Sequence, residues 1–355
     1  MINVTKTYLP PFDEYAAILK RAWDKGWITN DGELVKELEL KLKEYLGVNH
    51  LLFTSNGTVV LQMALKALDV TKEVITTPFS YVATTNAILW EGCKPVFVDI
   101  DEKTFCIDAD KIEAAITKDT QAILATHVYG IPCDVEKIEN LARKYNLAVI
   151  YDAAHAFGSL LNEKSLLSYG DISTCSFHAT KIFHTVEGGC IVANNAEVQR
   201  QLMLYRQFGH VYDDYFSVGI NAKNSEFHAA MGLAVFPKLN DIITERKKIS
   251  ENYDDSLCKV LQRPHIAKNV TYNYSYYPVV FENEKILLNV INQLGKKNIA
   301  GRRYFHPSLN KLPFIEYQRC PVSESISEKV LCLPLYVGLT ENELEIITTT
   351  ILKNI

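Results

Sequence analysis

The sequence predicts an α/β protein: a mostly parallel sheet covered by helices on both faces, with a smaller α+β unit after it. Three observations carry this. From about residue 50, short apolar runs alternate with helix-length segments, the rhythm of strands joined by crossover helices. Two more strand-like runs, 172–177 and 190–194, follow with no obvious helix between them. After about residue 240 the alternation becomes irregular. A chain of 355 residues has room for such a division. The expected boundaries are 1–240 for a large domain that includes the N-terminal segment, and 241–355 for a small one.

Residues 33–46 (ELVKELELKLKEYL) mix apolar and charged positions as an amphipathic helix does. Strands are then expected at 50–53, 73–77, 95–100, 121–126 and 147–152, with helices at 58–68, 81–91, 109–117 and 134–145. The last helix opens on Asp134, a favourable N-cap, with acidic residues in its first turn. TYNYSYYPVVF (271–281) and ISEKVLCLPL (326–335) suggest the α+β character of the C-terminal part.

Composition narrows the function classes. Hydrophobic residues are 48% and charged residues 22%, ordinary for a soluble globular chain. A net charge of -5 gives no reason to expect nucleic acid or an acidic membrane as partner. No apolar stretch approaches a membrane span. MINVTKTYLPPFDEY lacks the basic start and apolar run of a signal peptide, so a cytoplasmic location is expected. The eight cysteines form no Cys-x-x-Cys pair, and no His/Asp/Glu group has ligand spacing. Free thiols and no metal are expected. A G-x-S-x-G elbow, a G-x-G-x-x-G fingerprint and a Walker A loop are all missing, which speaks against a Ser-His-Asp hydrolase and a dinucleotide enzyme.

In an open α/β sheet, ligands sit beyond the carboxyl ends of the strands. The polar residues after each run are therefore the candidates. Ser55-Asn56-Gly57-Thr58 leads into an apolar helix; a glycine and free helix-start amides suit a phosphate, though a plain glycine helix start reads the same way. Asp152 ends an otherwise apolar strand. A carboxylate there needs a partner, either a helix start or cation of the protein or a ligand ring nitrogen that must stay protonated. Lys181 sits among Phe177, His178, Ile182 and Phe183, poor company for a solvated lysine. Partial desolvation lowers an amine's pKa and makes it nucleophilic near neutrality. His155 is placed to reach a ligand oxygen, whereas His127 and His178 are expected to be packed structural residues.

These residues, together with WITNDG (27–32), SNGT (55–58), TPFSYVATTNAI (77–88), THVYGIPCD (126–134), YDAAHAFG (151–158), SFHATK (176–181), GINAKNSEFHAAMG (219–232) and CLPLY (332–336), resemble the DegT-type sugar-nucleotide aminotransferases. That family lies within the fold-type I pyridoxal 5'-phosphate (PLP) enzymes, and the resemblance runs over nearly the whole chain. It implies a mostly parallel seven-stranded sheet and a catalytic Lys181 in Schiff-base linkage to PLP. Asp152 would pair with the pyridine nitrogen and Tyr81 would stack on the ring. Gly57, Thr58 and Ser176 would hold the phosphate. His155 would approach the ring hydroxyl, where many relatives carry glutamine. Asn221 would reach the phosphate of a neighbouring subunit, which implies a homodimer with shared active sites.

The implied reaction moves an amino group from glutamate to a nucleotide-linked keto sugar, for surface polysaccharide such as O-antigen lipopolysaccharide or another glycan. A lysine at 181, where a dehydratase branch has histidine, favours transamination. SFHATKIFHTVEGG resembles enzymes that aminate carbon 4 of a dTDP-4-keto-6-deoxyhexose, more than the SFYPGKNLG type that acts at carbon 3. A 3-aminotransferase and a non-catalytic regulatory protein of the same fold are the alternatives. Arg302, Arg303, Tyr304 and His306 form a polar cluster with two readings, nucleotide contact or solvated loop. Lys223 and Glu226 would face either substrate or the subunit interface.

Overall fold

The computed structural model describes residues 1–355. Five strands pair in parallel with one another: β2 (Glu73–Thr76), β3 (Lys94–Phe97), β4 (Thr120–Thr126), β5 (Ala148–Asp152) and β6 (Ile172–Ser176). β7 (Gly189–Ala193) is reversed and pairs antiparallel with both β6 and β1 (Leu51–Thr54). The seven lie in the order β1-β7-β6-β5-β4-β2-β3, so the predicted mostly parallel seven-stranded sheet is present. One predicted strand is shorter than its apolar run. After Phe97 the chain leaves the sheet, because the Asp99 carboxylate accepts the amides of Val322 and Ser323 at 2.9 Å each and pulls 98–100 toward the C-terminal part.

The strands are largely apolar in their interiors because both faces are covered. Ile75, Ile123, Val149 and Tyr151 enter one core, while their neighbours Val74, Ala122, Leu124 and Ile150 enter another. Alternation of side chains across a strand makes this division unavoidable. The covering helices include α3 (Gly57–Ala67), α4 (Val82–Trp90), α5 (Ala109–Ala115), α6 (Val135–Tyr145) and α7 (Ala196–Arg206). Asp134 caps α6 as expected, its Oδ1 accepting the Lys137 amide at 3.1 Å.

The N-terminal helices α1 (Phe12–Lys25) and α2 (Glu33–Leu46) pack on α8 (Glu226–Val235). In α2, Leu34, Leu38, Leu42 and Leu46 recur every four residues and are buried, each worth about 1.5–3 kcal/mol. Buried Glu226 accepts the second and third amides of α2, Leu34 at 2.8 Å and Val35 at 3.1 Å. It is therefore a helix cap, facing neither a substrate cavity nor solvent. Gly32 is required beside it, since a Cβ there would lie 2.5 Å from the Glu226 carboxyl carbon.

Beyond α8, α9 (Leu239–Leu257) leads into a second assembly. A two-stranded antiparallel sheet of β8 (Tyr277–Val280) and β9 (Val330–Leu333) is surrounded by α10 (Glu284–Gly295), α11 (Pro321–Lys329) and α12 (Glu341–Leu352). It has its own core of Ile249, Tyr253, Leu257, Leu287, Leu331, Ile347 and others. Ile2 bridges Ile299, and Val4 accepts the Leu335 amide, so the first residues of the chain run along this C-terminal part. No helix is long and apolar enough to cross a membrane, and the eight cysteines are free thiols.

Candidate active site

A cavity of about 300 Å³ opens at the carboxyl ends of the parallel strands. Gly57 and Thr58 enter it from the start of α3, Ser80 and Tyr81 from the turn before α4, and Asp152 and His155 from the end of β5. Ser176 closes β6, and Lys181 lies in the connection from β6 to the reversed β7. The far wall comes from the C-terminal part: Tyr276, Arg302, Tyr304 and Phe305. Seven of the eight sequence-derived candidates thus meet in one space. The eighth, Asn221, is exposed and bridges Gln207, and it does not line this cavity.

Asp152 is buried on the floor. Its Oδ1 accepts the Ala154 amide at 3.1 Å, and its Oδ2 accepts the Thr84 hydroxyl at 2.7 Å. Thr84 is joined to Ser80 at 2.8 Å, and Thr126 donates to Ser80 at 3.1 Å. Burial pushes the Asp152 carboxyl above its ordinary range, while Thr84, the Ala154 amide and the charge of Lys181 act in the other direction. The Lys181 amine is held below an ordinary lysine by burial, with Asp152 opposing. Phe177 and Phe183, its sequence neighbours, are fully buried and pack with Phe157 in an adjoining core rather than lining the cavity.

His155 is held in one tautomer. Its Nδ1 accepts the Tyr129 amide at 3.2 Å, so the proton resides on Nε2. Tyr129 takes a left-handed backbone (φ 57°) to direct that amide. Burial, then the charge of Lys181, holds the ring well below the usual histidine range, so it stays neutral and its free nitrogen donates.

At the start of α3, Asn56 Oδ1 accepts the amides of Thr58 at 3.0 Å and Val59 at 2.9 Å. The helix start therefore keeps fewer free amides than a bare one. Gly57 is required at this point, because a Cβ would stand 2.6 Å from the Ser176 Cβ. Glycine opens a cradle between α3 and β6.

His127 is packed as expected. It stacks on Tyr151 with centroids 4.5 Å apart, and burial brings its pKa down to about 3. His178 departs from the expectation of a packed residue: it is exposed, lines the cavity and stands 3.6 Å from Glu187. The cluster at 302–306 divides. Arg302 and Tyr304 line the cavity, whereas Arg303 and His306 turn to Glu284 at 2.7 and 3.9 Å. Lys223 stands over the Phe208 ring at 4.8 Å, outside the cavity. Sequence reasoning missed Tyr276 and gave no role of their own to Ser80 and Thr84, which fall in the polar stretch 78–85 after the second strand. Both lie inside the recognised TPFSYVATTNAI segment, where only Tyr81 was singled out.

Pyridoxal phosphate fits these residues. Their donor set offers a buried carboxylate for a protonated ring nitrogen, a desolvated amine, an exposed aromatic face in Tyr81, a fixed N–H on His155, and a glycine-lined cradle beside Ser176 for an anion. Fold and site together define a PLP-dependent aminotransferase. Residues 13–352 match the DegT/DnrJ/EryC1/StrS aminotransferase family, and the chain belongs to that family. It is 41% identical over 361 residues to a dTDP-4-amino-4,6-dideoxy-D-glucose transaminase of Shigella dysenteriae, covering 99% of this chain and 98% of the relative. A GDP-perosamine synthase of Escherichia coli O157:H7 is 33% identical, with 90% of each chain covered. The crystal structure of DesI in the presence of its TDP-sugar product superposes with a TM-score of 0.93 at 29% identity, covering 98% of this chain and 91% of that one.

Proposed function

We propose that this enzyme moves the amino group of glutamate to carbon 4 of a dTDP-linked 4-keto-6-deoxy-D-glucose. The observation that carries the reading is the Lys181 amine and buried Asp152 in one cavity, in a chain 41% identical to a transaminase named for the 4-amino product of that sugar. The product would serve surface-polysaccharide synthesis, such as O-antigen lipopolysaccharide, in the cytoplasm.

When bound, PLP supplies the electron sink that allows a bond at the amino carbon to ionise. The chain supplies the rest. Lys181 Nζ is the attachment point and then the base and acid that carries the proton between carbons. Asp152, fixed by Thr84 and Ala154, keeps the ring nitrogen protonated. His155 Nε2–H would donate to the ring oxygen, Tyr81 would cover one face, and Gly57, Thr58 and Ser176 would hold the phosphate. Arg302 and Tyr304, on the C-terminal wall, contact the sugar nucleotide.

Two sites shared across a homodimer complete the proposal. Asn221 lies outside its own chain's cavity, at the end of a segment that exposes Phe208, Tyr212, Tyr215, Phe216 and Val218. Such an apolar surface calls for a partner. The decisive experiment incubates the holoenzyme with glutamate and dTDP- or other nucleotide-linked 3-keto and 4-keto sugars, and locates the new nitrogen by NMR. Nitrogen at carbon 4 of the dTDP-sugar is expected, and nitrogen at carbon 3 alone would overturn the assignment.

A further inference from the structure

Lys181 makes one side-chain hydrogen bond within the chain. Its Nζ meets the Tyr276 hydroxyl at 3.3 Å, and Tyr276 arrives from 95 residues away, just before β8. The phenol is closely confined. Its ring meets His155 edge-on at 4.9 Å, Tyr304 edge-on at 5.6 Å and Tyr129 at 5.7 Å. The Tyr272 hydroxyl, 3.4 Å from the Tyr276 carbonyl, helps hold the backbone. A ring packed on these sides has little freedom to swing its hydroxyl away.

We infer that Tyr276 is the positioning residue that holds the Lys181 amine during the part of the cycle when that amine is not joined to the cofactor. The inference rests on the Lys181 assignment above. A free amine on four methylenes samples many rotamers and loses proximity to the reacting carbon. A phenol serves both protonation states. It donates to the lone pair of the neutral amine, and after Nζ has taken a proton it accepts from the ammonium while keeping its own. Burial pushes the Tyr276 phenol up and away from ionisation, so it remains a neutral partner throughout. Asp152 accepts from Thr84 and the Ala154 amide and makes no hydrogen bond to Lys181, which leaves Tyr276 as the anchor.

The test is Tyr276→Phe, which keeps the ring and removes the oxygen. In the cofactor-free protein, reductive methylation followed by mass spectrometry should find Lys181 modified severalfold faster than in wild type. In the holoenzyme, kcat should fall by about 10- to 100-fold, the scale of a misplaced reacting group, with KM for both substrates little changed. The isotope effect with α-deuterated glutamate should rise. Unchanged methylation of Lys181 together with unchanged kcat would overturn the inference, as would a loss confined to KM. If the variant binds less cofactor, single turnovers per bound cofactor give the same comparison. Borohydride reduction of wild type separates the two claims: label on a residue other than Lys181 removes the underlying assignment, whereas label on Lys181 with an unaltered variant removes only the role of Tyr276.

Discussion

At the scale of residues, the site is a set of groups whose protonation is fixed by contacts. Thr84 opposes the effect of burial on Asp152, so Thr84→Val should raise the pKa of that carboxyl. In the proposed role the carboxylate is the working form. Activity should therefore be lost at higher pH as the solution is acidified, and the acid limb of the kcat profile should move upward relative to wild type. His155→Gln should keep cofactor binding within about threefold, because a glutamine can still accept the Tyr129 amide and donate to a ring oxygen; equilibrium titration with PLP checks this. Asp152 and Gly57 were legible in the sequence because each sits at a strand end or helix start, and Lys181 because its neighbours are apolar; the role of Ser176 came from the family resemblance. Tyr276 and Thr84 were not legible as partners. Their contacts to Lys181 and Asp152 span 95 and 68 residues, and nothing in the local pattern of a tyrosine-rich strand or an apolar helix announces such a partner.

At the scale of elements, two devices seat the N-terminal helices against the sheet. Arg206, at the end of α7, is 5% exposed in its side chain and binds Asp31 at 2.8 Å, Glu39 at 2.7 Å and the Phe53 carbonyl at 2.9 Å. It ties α7, α2 and β1 together. Arg206→Ala would leave two carboxylates without their cation, and a loss of about 3–5 kcal/mol is expected, measurable by denaturant unfolding. Gly32→Ala would press a methyl into the Glu226 carboxyl group and should cost about 1–3 kcal/mol by the same measurement. The seven sheet strands apart from β3, and the helices α2 to α6, were legible within a residue or two, because their apolar runs follow burial on both sheet faces, whereas α1 and the helices from α7 onward were not placed. Glu226 was misplaced as a substrate or interface residue. Its partners are backbone amides at 34 and 35, and a backbone group leaves no side-chain signature to pair with.

At the scale of the whole molecule, the proposed sharing of each cavity between two subunits makes a prediction that no single chain can meet. Lys181→Ala and Asn221→Ala proteins should each be weakly active. Unfolded and refolded together, they should form mixed dimers in which one of the two sites has both native residues, and activity should return. Sedimentation should give a dimer for wild type. The fold class was legible because strand and helix rhythm is a long-range average. The second, C-terminal wall was only partly so, since Arg302 and Tyr304 were indistinguishable in sequence from Arg303 and His306.

That two-part wall also has a bearing on the order of synthesis. The residues of the chain's own cavity proposed to hold the cofactor lie between 57 and 181, and a ribosome completes them well before it reaches Tyr276 and Arg302. A nascent chain halted near residue 240 would carry the lysine and its aspartate in an open trough, with the anchoring phenol not yet made. Cofactor captured at that stage would be exposed to water and to stray amines, so stable loading belongs to the finished chain.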